Sequence, residues 1–277
     1  MTYKTILLHL DPHARSAEHV GLAFKLAGKF GAHLVGLYAP GPTRIPSYAL
    51  AEAGPALRQV VEQHRVDAAR NAEKQFREAI AKQGDARAEW RAAEGDTAAA
   101  LRLNARYADL VVSPQAEPSD EPETRMLPHE IVLAAGRPVL FVPYAGRFAD
   151  TGRRVLVAWD GGREAARAVS DALPFLARAE SVEVSVFDPE RAPGKHGEQP
   201  GADIALYLSR HGVKVTVHRQ SGAGYDIGAQ ILSRAADAAA DLIVMGGYGH
   251  ARVRELVLGG VTRTILESMT VPVLMSH

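Results

Sequence analysis

Residues 5–38, TILLHLDPHARSAEHVGLAFKLAGKFGAHLVGLY, have a counterpart in residues 154–187, RVLVAWDGGREAARAVSDALPFLARAESVEVSVF. Each stretch opens on a short apolar run that ends near an Asp, Asp11 in one and Asp160 in the other. Polar or small residues follow, then a helical pattern, then a second apolar run. Val20, Ala23, Phe24 and Ala27 in the first copy, and Val169, Ala172, Leu173 and Leu176 in the second, recur at i, i+3, i+4, i+7, one stripe of a helix. Strand, helix, strand in that order is a βαβ unit, and an internal repeat of such units decides the architecture before any local reading does.

The repeat extends further. ADLVVSP (108–114) pairs with ADLIVMG (240–246), and RPVLFVP (137–143) with VPVLMSH (271–277). Continuous apolar strands such as LVV, LIVM and PVLFV suit a parallel sheet covered on both faces, because a strand with one wet face would alternate. The sequence therefore predicts an α/β protein of two doubly wound parallel-sheet domains in tandem, about five strands each, over residues 1–146 and 153–277. YAGRFADTGR (144–153), punctuated by Gly and charge, is the linker. The last strands of the two halves can pair within the chain, removing two exposed edges and making an internal pseudo-dimer. Further homodimerisation stays open.

Asp11 and Asp160 are 149 positions apart, whereas Asp109 and Asp241 are 132 apart, so the first half carries about 17 extra residues after its second strand. APGPTRIPSYALAEAGPALRQ (39–59) reads as a Pro/Gly/Ala-rich loop, with a long helix expected from Ala56 to about Lys82. A tolerated surface insertion is the simpler reading and a lid or interface the alternative.

Composition narrows the ligand classes. At 277 residues, 47% apolar and 23% charged, the chain is an ordinary globular protein of two-domain length. Its 32 basic and 32 acidic residues cancel, which leaves no field for a nucleic-acid backbone. The absence of cysteine removes disulfides, thiolate nucleophiles and zinc–thiolate sites. The apolar run at Ile6–Leu8 and Leu10 is too short for a signal peptide or membrane span, so a cytoplasmic protein is expected, without nucleic-acid or membrane partners.

The second half holds GGYGHARVRELVLGGVTR, residues 246–263. Glycines cluster where a backbone needs positive φ or where a ligand must come close. Gly246 closes the strand DLIVM, at the carboxyl edge where open α/β sheets bind ligands, and Gly259 and Gly260 precede the helical run VTRTILESM. A helix start offers unpaired N–H groups and partial positive charge to an anion. The spacing matches neither Gly-Lys-Ser/Thr nor the dinucleotide fingerprint, and GAGYDIG (222–228) also fails the latter because it follows a third strand.

The chain resembles a tandem-domain universal stress protein. Gly246, Gly249 and Gly259 fit that family's motif of Gly, two residues, Gly, nine residues, Gly, then Ser or Thr, and an Asp closes the first strand of each half. The resemblance implies an adenine nucleotide alpha hydrolase-like fold and a binding site for ATP, with Mg, or a related adenine nucleotide. Carried over by position, Asp160 lies beside the adenine, Val186 borders base or ribose, and Met245, Gly246, Gly249, Gly259, Gly260 and Val261 hold the phosphates. Asp160 has its own rationale, since a carboxylate accepts from an exocyclic amine.

Gly260 departs from the motif's Ser/Thr. It keeps a backbone donor and lacks a hydroxyl whose bond to a charged phosphate is worth about 1.5–3 kcal/mol, tenfold or more in affinity. Arg252, Arg254 and Thr262 are candidate replacements. In the first half the corresponding loop, SPQAEPSDEPETRMLPHEIV, has no glycine and five acidic residues, which reads as a degenerate site.

No GxSxG elbow, HExxH pair or acid–base constellation appears, so catalysis is not expected beyond slow ATP hydrolysis. His9 and His33 read as satisfied core or edge residues, Tyr248 and His250 as solvent-exposed, and Trp90 and Trp159 as packing anchors. Two functions remain. One is a stress-response regulatory protein binding ATP or a relative in its second half. The other is a nucleotide-independent, pseudo-dimeric interaction protein that has lost the ligand.

Overall fold

A computed structural model describes residues 2–10, 16–41, 47–83, 87–148, 150–191, 194, 197–221, 226–249 and 260–277. Strand β1 (Thr5–Leu10), helix α1 (Ser16–Phe30) and strand β2 (His33–Tyr38) realise the first copy of the repeat. They are followed by α2 (Ser47–Gln83), β3 (Ala88–Ala92), α3 (Thr97–Ala105), β4 (Leu110–Pro114), α4 (Pro122–Ala134) and β5 (Val139–Val142). The second half repeats the order with β6 (Arg154–Ala158), α5 (Arg163–Leu176), β7 (Ser181–Phe187), α6 (Ala202–Arg210), β8 (Val215–Gln220), α7 (Ile227–Asp237), β9 (Leu242–Gly246), α8 (Gly260–Ser268) and β10 (Val273–Ser276).

The strands form one ten-stranded sheet in the order β3-β2-β1-β4-β5-β10-β9-β6-β7-β8. Every pairing within a half is parallel, for example Leu7 opposite Val35 and Val157 opposite Val244. The seam between halves is antiparallel, with Val273, Leu274 and Met275 opposite Phe141, Leu140 and Val139. The two terminal strands thus pair within one chain, and neither is left as an open edge.

Helices cover both faces, which is why the central strands are apolar without alternation. One face packs α1, α2, α5 and α6 through Phe24, Phe76, Phe175 and Leu208, and the other packs α3, α4, α7 and α8 through Leu101, Ile131, Ile231 and Ile265. The predicted stripes hold: Val20, Ala23, Phe24 and Ala27, and Val169, Ala172 and Leu176, are buried, and Leu173 is half-buried against the same core.

The extra material of the first half differs from the expected loop. Helix α2 begins at Ser47, ahead of Ala56, and runs to Gln83. The residues ALAEA between are strong helix formers, and their propensity outweighs the Gly and Pro that punctuate the segment. The lower part of α2 docks by Phe76, while Val60 is 65% exposed.

The halves also meet outside the sheet. Tyr3 and Phe30 of the first pack edge-on against Phe175 of α5, the Tyr3 hydroxyl donates to the Asp171 carbonyl at 2.7 Å, and Lys29 Nζ donates to the Thr151 carbonyl at 2.8 Å. On the opposite face Gln115, after β4, donates from Nε2 to the Leu266 carbonyl of α8 at 2.9 Å. The first-half loop that lacks glycines is thus built into the contact with the second half.

Candidate functional site

In the second half the chain leaves β6 toward β7 on one side and reaches β9 on the other, so strand order reverses between β6 and β9. Ligands of open α/β sheets sit at the carboxyl ends of the strands flanking such a point. Asp160 follows β6 there, and Gly246 to Gly249 follow from β9. The exposed Asp160 carboxylate accepts from the Gly162 amide at 2.8 Å and shapes the turn into α5.

The glycines serve different ends. A methyl group at Gly246 would stand 2.5 Å from the Ala165 amide nitrogen and 2.7 Å from the Glu164 carbonyl carbon, so the amino end of α5 lies directly on the end of β9. At Gly247 it would meet Val132 of α4, across the inter-half contact, at 2.7 Å. At Gly249 it would lie 3.3 Å from Glu164 Oε2 and 3.5 Å from Asp160 Oδ2, whereas nothing stands within 4 Å at Gly260. Positive φ in the loop belongs to Tyr248, at 58°, and to none of these glycines. Close approach of neighbouring atoms explains Gly246 and Gly247; two carboxylate oxygens border Gly249, and open space marks Gly260.

Tyr248 departs from expectation. It is 7% exposed, its hydroxyl is hydrogen-bonded to Nδ1 of His129 on α4, and its amide donates to Thr262 Oγ1 at 3.2 Å. Thr262, a candidate partner for phosphate, is thereby engaged with the loop backbone. The same bond brings the first turn of α8 beside Tyr248, the residue before Gly249. Burial pushes the Tyr248 phenol up, keeping it neutral, and the aromatic ring ties the loop to the other half because its apolar body is covered while its hydroxyl finds a buried partner.

His129 carries a pH consequence. Burial holds its imidazole below the ordinary range, against the pull of Glu267 and with a small push from Arg263. The unfolded chain takes up a proton near pH 6.5 that the folded chain refuses, so stability falls as pH drops below about 6.5 toward the folded value. His129→Gln is expected to remove that component. Denaturant midpoints of wild type and variant, compared between about pH 7 and 5, should diverge in wild type's disfavour as acid is added; parallel curves would sink the assignment.

Of the other positions implied by the resemblance, Val186 and Met245 are 0% and 4% exposed with side chains in the two cores, which leaves only their backbones to a ligand. Val261 is half-buried in the first turn of α8. Trp159 and Trp90 are half-buried packing residues, His9 is hydrogen-bonded to Ser113, and His33 lies 3.6 Å from Glu89. Gly259, His250, Arg252, Arg254 and Asp11 lie outside the described residues.

Glu164 was not singled out by sequence reasoning. It is 4% exposed in the first turn of α5, with Arg163 Nε 2.5 Å from its Oε1. Burial raises its carboxyl, but the Arg163 hydrogen bond, its own amide, the Arg163 charge and His277 together outweigh that and hold it below the usual carboxylate range. The available signal was an acid four residues after Asp160, at the start of a helix where a negative charge is favoured.

The universal stress protein family model matches residues 152–277. A universal stress protein of Synechocystis sp. is 30% identical over 149 residues, covering 52% of this chain and 48% of that protein, so the chain spans about half the length of the curated relative it matches. The crystal structure of a universal stress protein from Archaeoglobus fulgidus covers 98% of this chain and 95% of its own at a TM-score of 0.68 and 18% identity. A protein of unknown function from Pseudomonas aeruginosa covers 99% and 92% at 0.63 and 15%. These structures share the fold of both halves. The second half, residues 152–277, thus matches the universal stress protein family, and the whole chain, with its repeat and paired half-sheets, shares the fold of these structures.

Proposed function

We propose that residues 153–277 form a domain that binds ATP or a related adenine nucleotide, and that the chain acts as a regulatory binding protein in a cytoplasmic stress response. One observation carries this reading: Asp160, Gly249 and the amino end of α8 converge at the point where strand order reverses. In this arrangement the Gly249 and Gly260 amides and the first turn of α8 hold phosphate, with magnesium as counter-ion, and Asp160 accepts from the base. Residues 1–146 form the second domain, whose corresponding loop supports the contact between halves. No helix among the described residues is long and apolar enough to cross a membrane.

Protein purified without added nucleotide, then denatured, should release stoichiometric adenine nucleotide identifiable by mass spectrometry, and Gly249→Val should release none. An empty protein that also ignores millimolar Mg-ATP would favour the other reading, a nucleotide-independent interaction protein. That alternative draws on Gly246 and Gly247, which are fully accounted for by packing.

Gly260→Ser returns the missing hydroxyl to a position with open space around it. The variant is expected to bind nucleotide about tenfold tighter or more, from a charged hydrogen bond of about 1.5–3 kcal/mol, with no loss of stability. Calorimetric titration of both proteins checks this, and an unchanged Kd would remove Gly260 from the phosphate contacts.

A further inference from the structure

The neighbourhood of Gly249 is acidic. Glu164 Oε2 and Asp160 Oδ2 flank the place where a Gly249 side chain would begin, at 3.3 and 3.5 Å. Glu164 does not lie there by chance of a long side chain, because its backbone is pinned: its carbonyl carbon and Cβ approach the Cβ position of Gly246 to 2.7 and 2.9 Å. Arg163 engages Oε1 and is itself 87% exposed, so Oε2 is the oxygen turned toward the loop. Among the described residues, His277 is the other basic side chain near this carboxylate, with its Nδ1 3.0 Å from the Gly247 carbonyl.

We infer that Glu164 makes this site selective for an adenine nucleotide of low phosphate charge, a nucleoside monophosphate in preference to a triphosphate. The inference rests on the nucleotide reading above and narrows it. Each added phosphate brings negative charge toward a carboxylate that is covered from water, where repulsion is screened less than at the surface. Arg163 keeps the carboxyl ionised and engages Oε1, leaving the Oε2 oxygen facing the loop. Binding energy from the base and ribose, which Glu164 does not oppose, is retained across the series.

The test is calorimetric titration of the full chain with AMP, ADP and ATP, in magnesium buffer and in EDTA. AMP is expected to bind at least tenfold tighter than ATP, with ADP between and a wider spread in EDTA, where no cation shields the phosphates. Glu164→Gln, which keeps the shape and removes the charge, should compress the AMP-to-ATP ratio at least fivefold, mainly by tightening ATP. ATP binding as tightly as AMP to the wild type in either buffer overturns the inference, and so does an unchanged ratio in a folded Glu164→Gln protein. The wild-type order decides alone should the variant not fold. If no adenine nucleotide binds, the nucleotide reading itself fails, a result distinct from a reversed order.

Discussion

Gly246→Ala should destabilise the protein by about 3 kcal/mol, lowering the melting temperature by roughly 6–12 °C for a domain of this size. The added methyl group would meet the Ala165 nitrogen at 2.5 Å and the Glu164 carbonyl carbon at 2.7 Å, both of them backbone atoms at the start of α5. A side chain could rotate away from such a contact; a helix start can only shift as a body, taking Ala165 and Ala168 out of the core. Overpacking a filled interior costs about 1–3 kcal/mol, and a rigid obstacle places this site at the upper end. Gly260→Ala is the matched control: the space is open, and alanine is favoured over glycine within a helix by roughly 0.5–1 kcal/mol. Thermal unfolding of the two variants should therefore move in opposite directions. Equal small shifts would mean that α5 does not rest on Gly246 as described. Because the first variant acts through the fold, Gly249 is the residue to alter when the proposed nucleotide binding alone is in question.

That distinction marks the limit of what the sequence discloses. Repeats of apolar runs and helical stripes are statements about which surface each element buries, and one sheet with two covered faces satisfies them, so the strand order and the β5–β10 seam were within reach. The spacing of Gly246, Gly249 and Gly259 likewise points to the carboxyl edge of the sheet, where Gly246 closes β9. Spacing does not say why a glycine is needed. Gly246 and Gly247 answer to neighbours distant in sequence, the start of α5 and Val132 of α4, and only the packed structure brings these together. Tyr248 was read as exposed because a polar aromatic in a glycine loop has no local reason for burial; its reason is His129, 119 residues earlier. Glu164 was overlooked for the same cause, since a lone acid at a helix start is common and its approach to Gly249 is tertiary. The extended start of α2 has a different cause: Gly and Pro read locally as breakers, yet the alanines between them carry the helix through.

Phe175→Ala is expected to cost about 3–5 kcal/mol and, more tellingly, to separate the unfolding of the two halves. Phe175 is 0% exposed, and its ring lies 4.9 Å from that of Phe30 at 83° and 5.8 Å from that of Tyr3 at 61°. Lys29 Nζ stands 5.6 Å from the same ring, and Arg178 of the second half lies 5.3 Å from the Phe30 ring of the first. Edge-on aromatic pairs are worth about 0.5–1.5 kcal/mol beyond the area they cover, so this cluster adds to the antiparallel seam a second bond between halves. Removing Phe175 leaves a cavity under Gly152, whose Cβ position is 2.6 Å from the ring, and loosens α5 from α1 while the β5–β10 pairing persists. The chain's two tryptophans report on different halves, Trp90 on the first and Trp159 on the second. In Trp90→Phe and Trp159→Phe backgrounds, denaturant curves should coincide for the native cluster. With Phe175→Ala, the Trp159 transition should move to lower denaturant than the Trp90 transition. Curves that shift together would show that the seam alone makes the two halves one cooperative unit, and the aromatic cluster would then be packing within a structure already joined by its sheet.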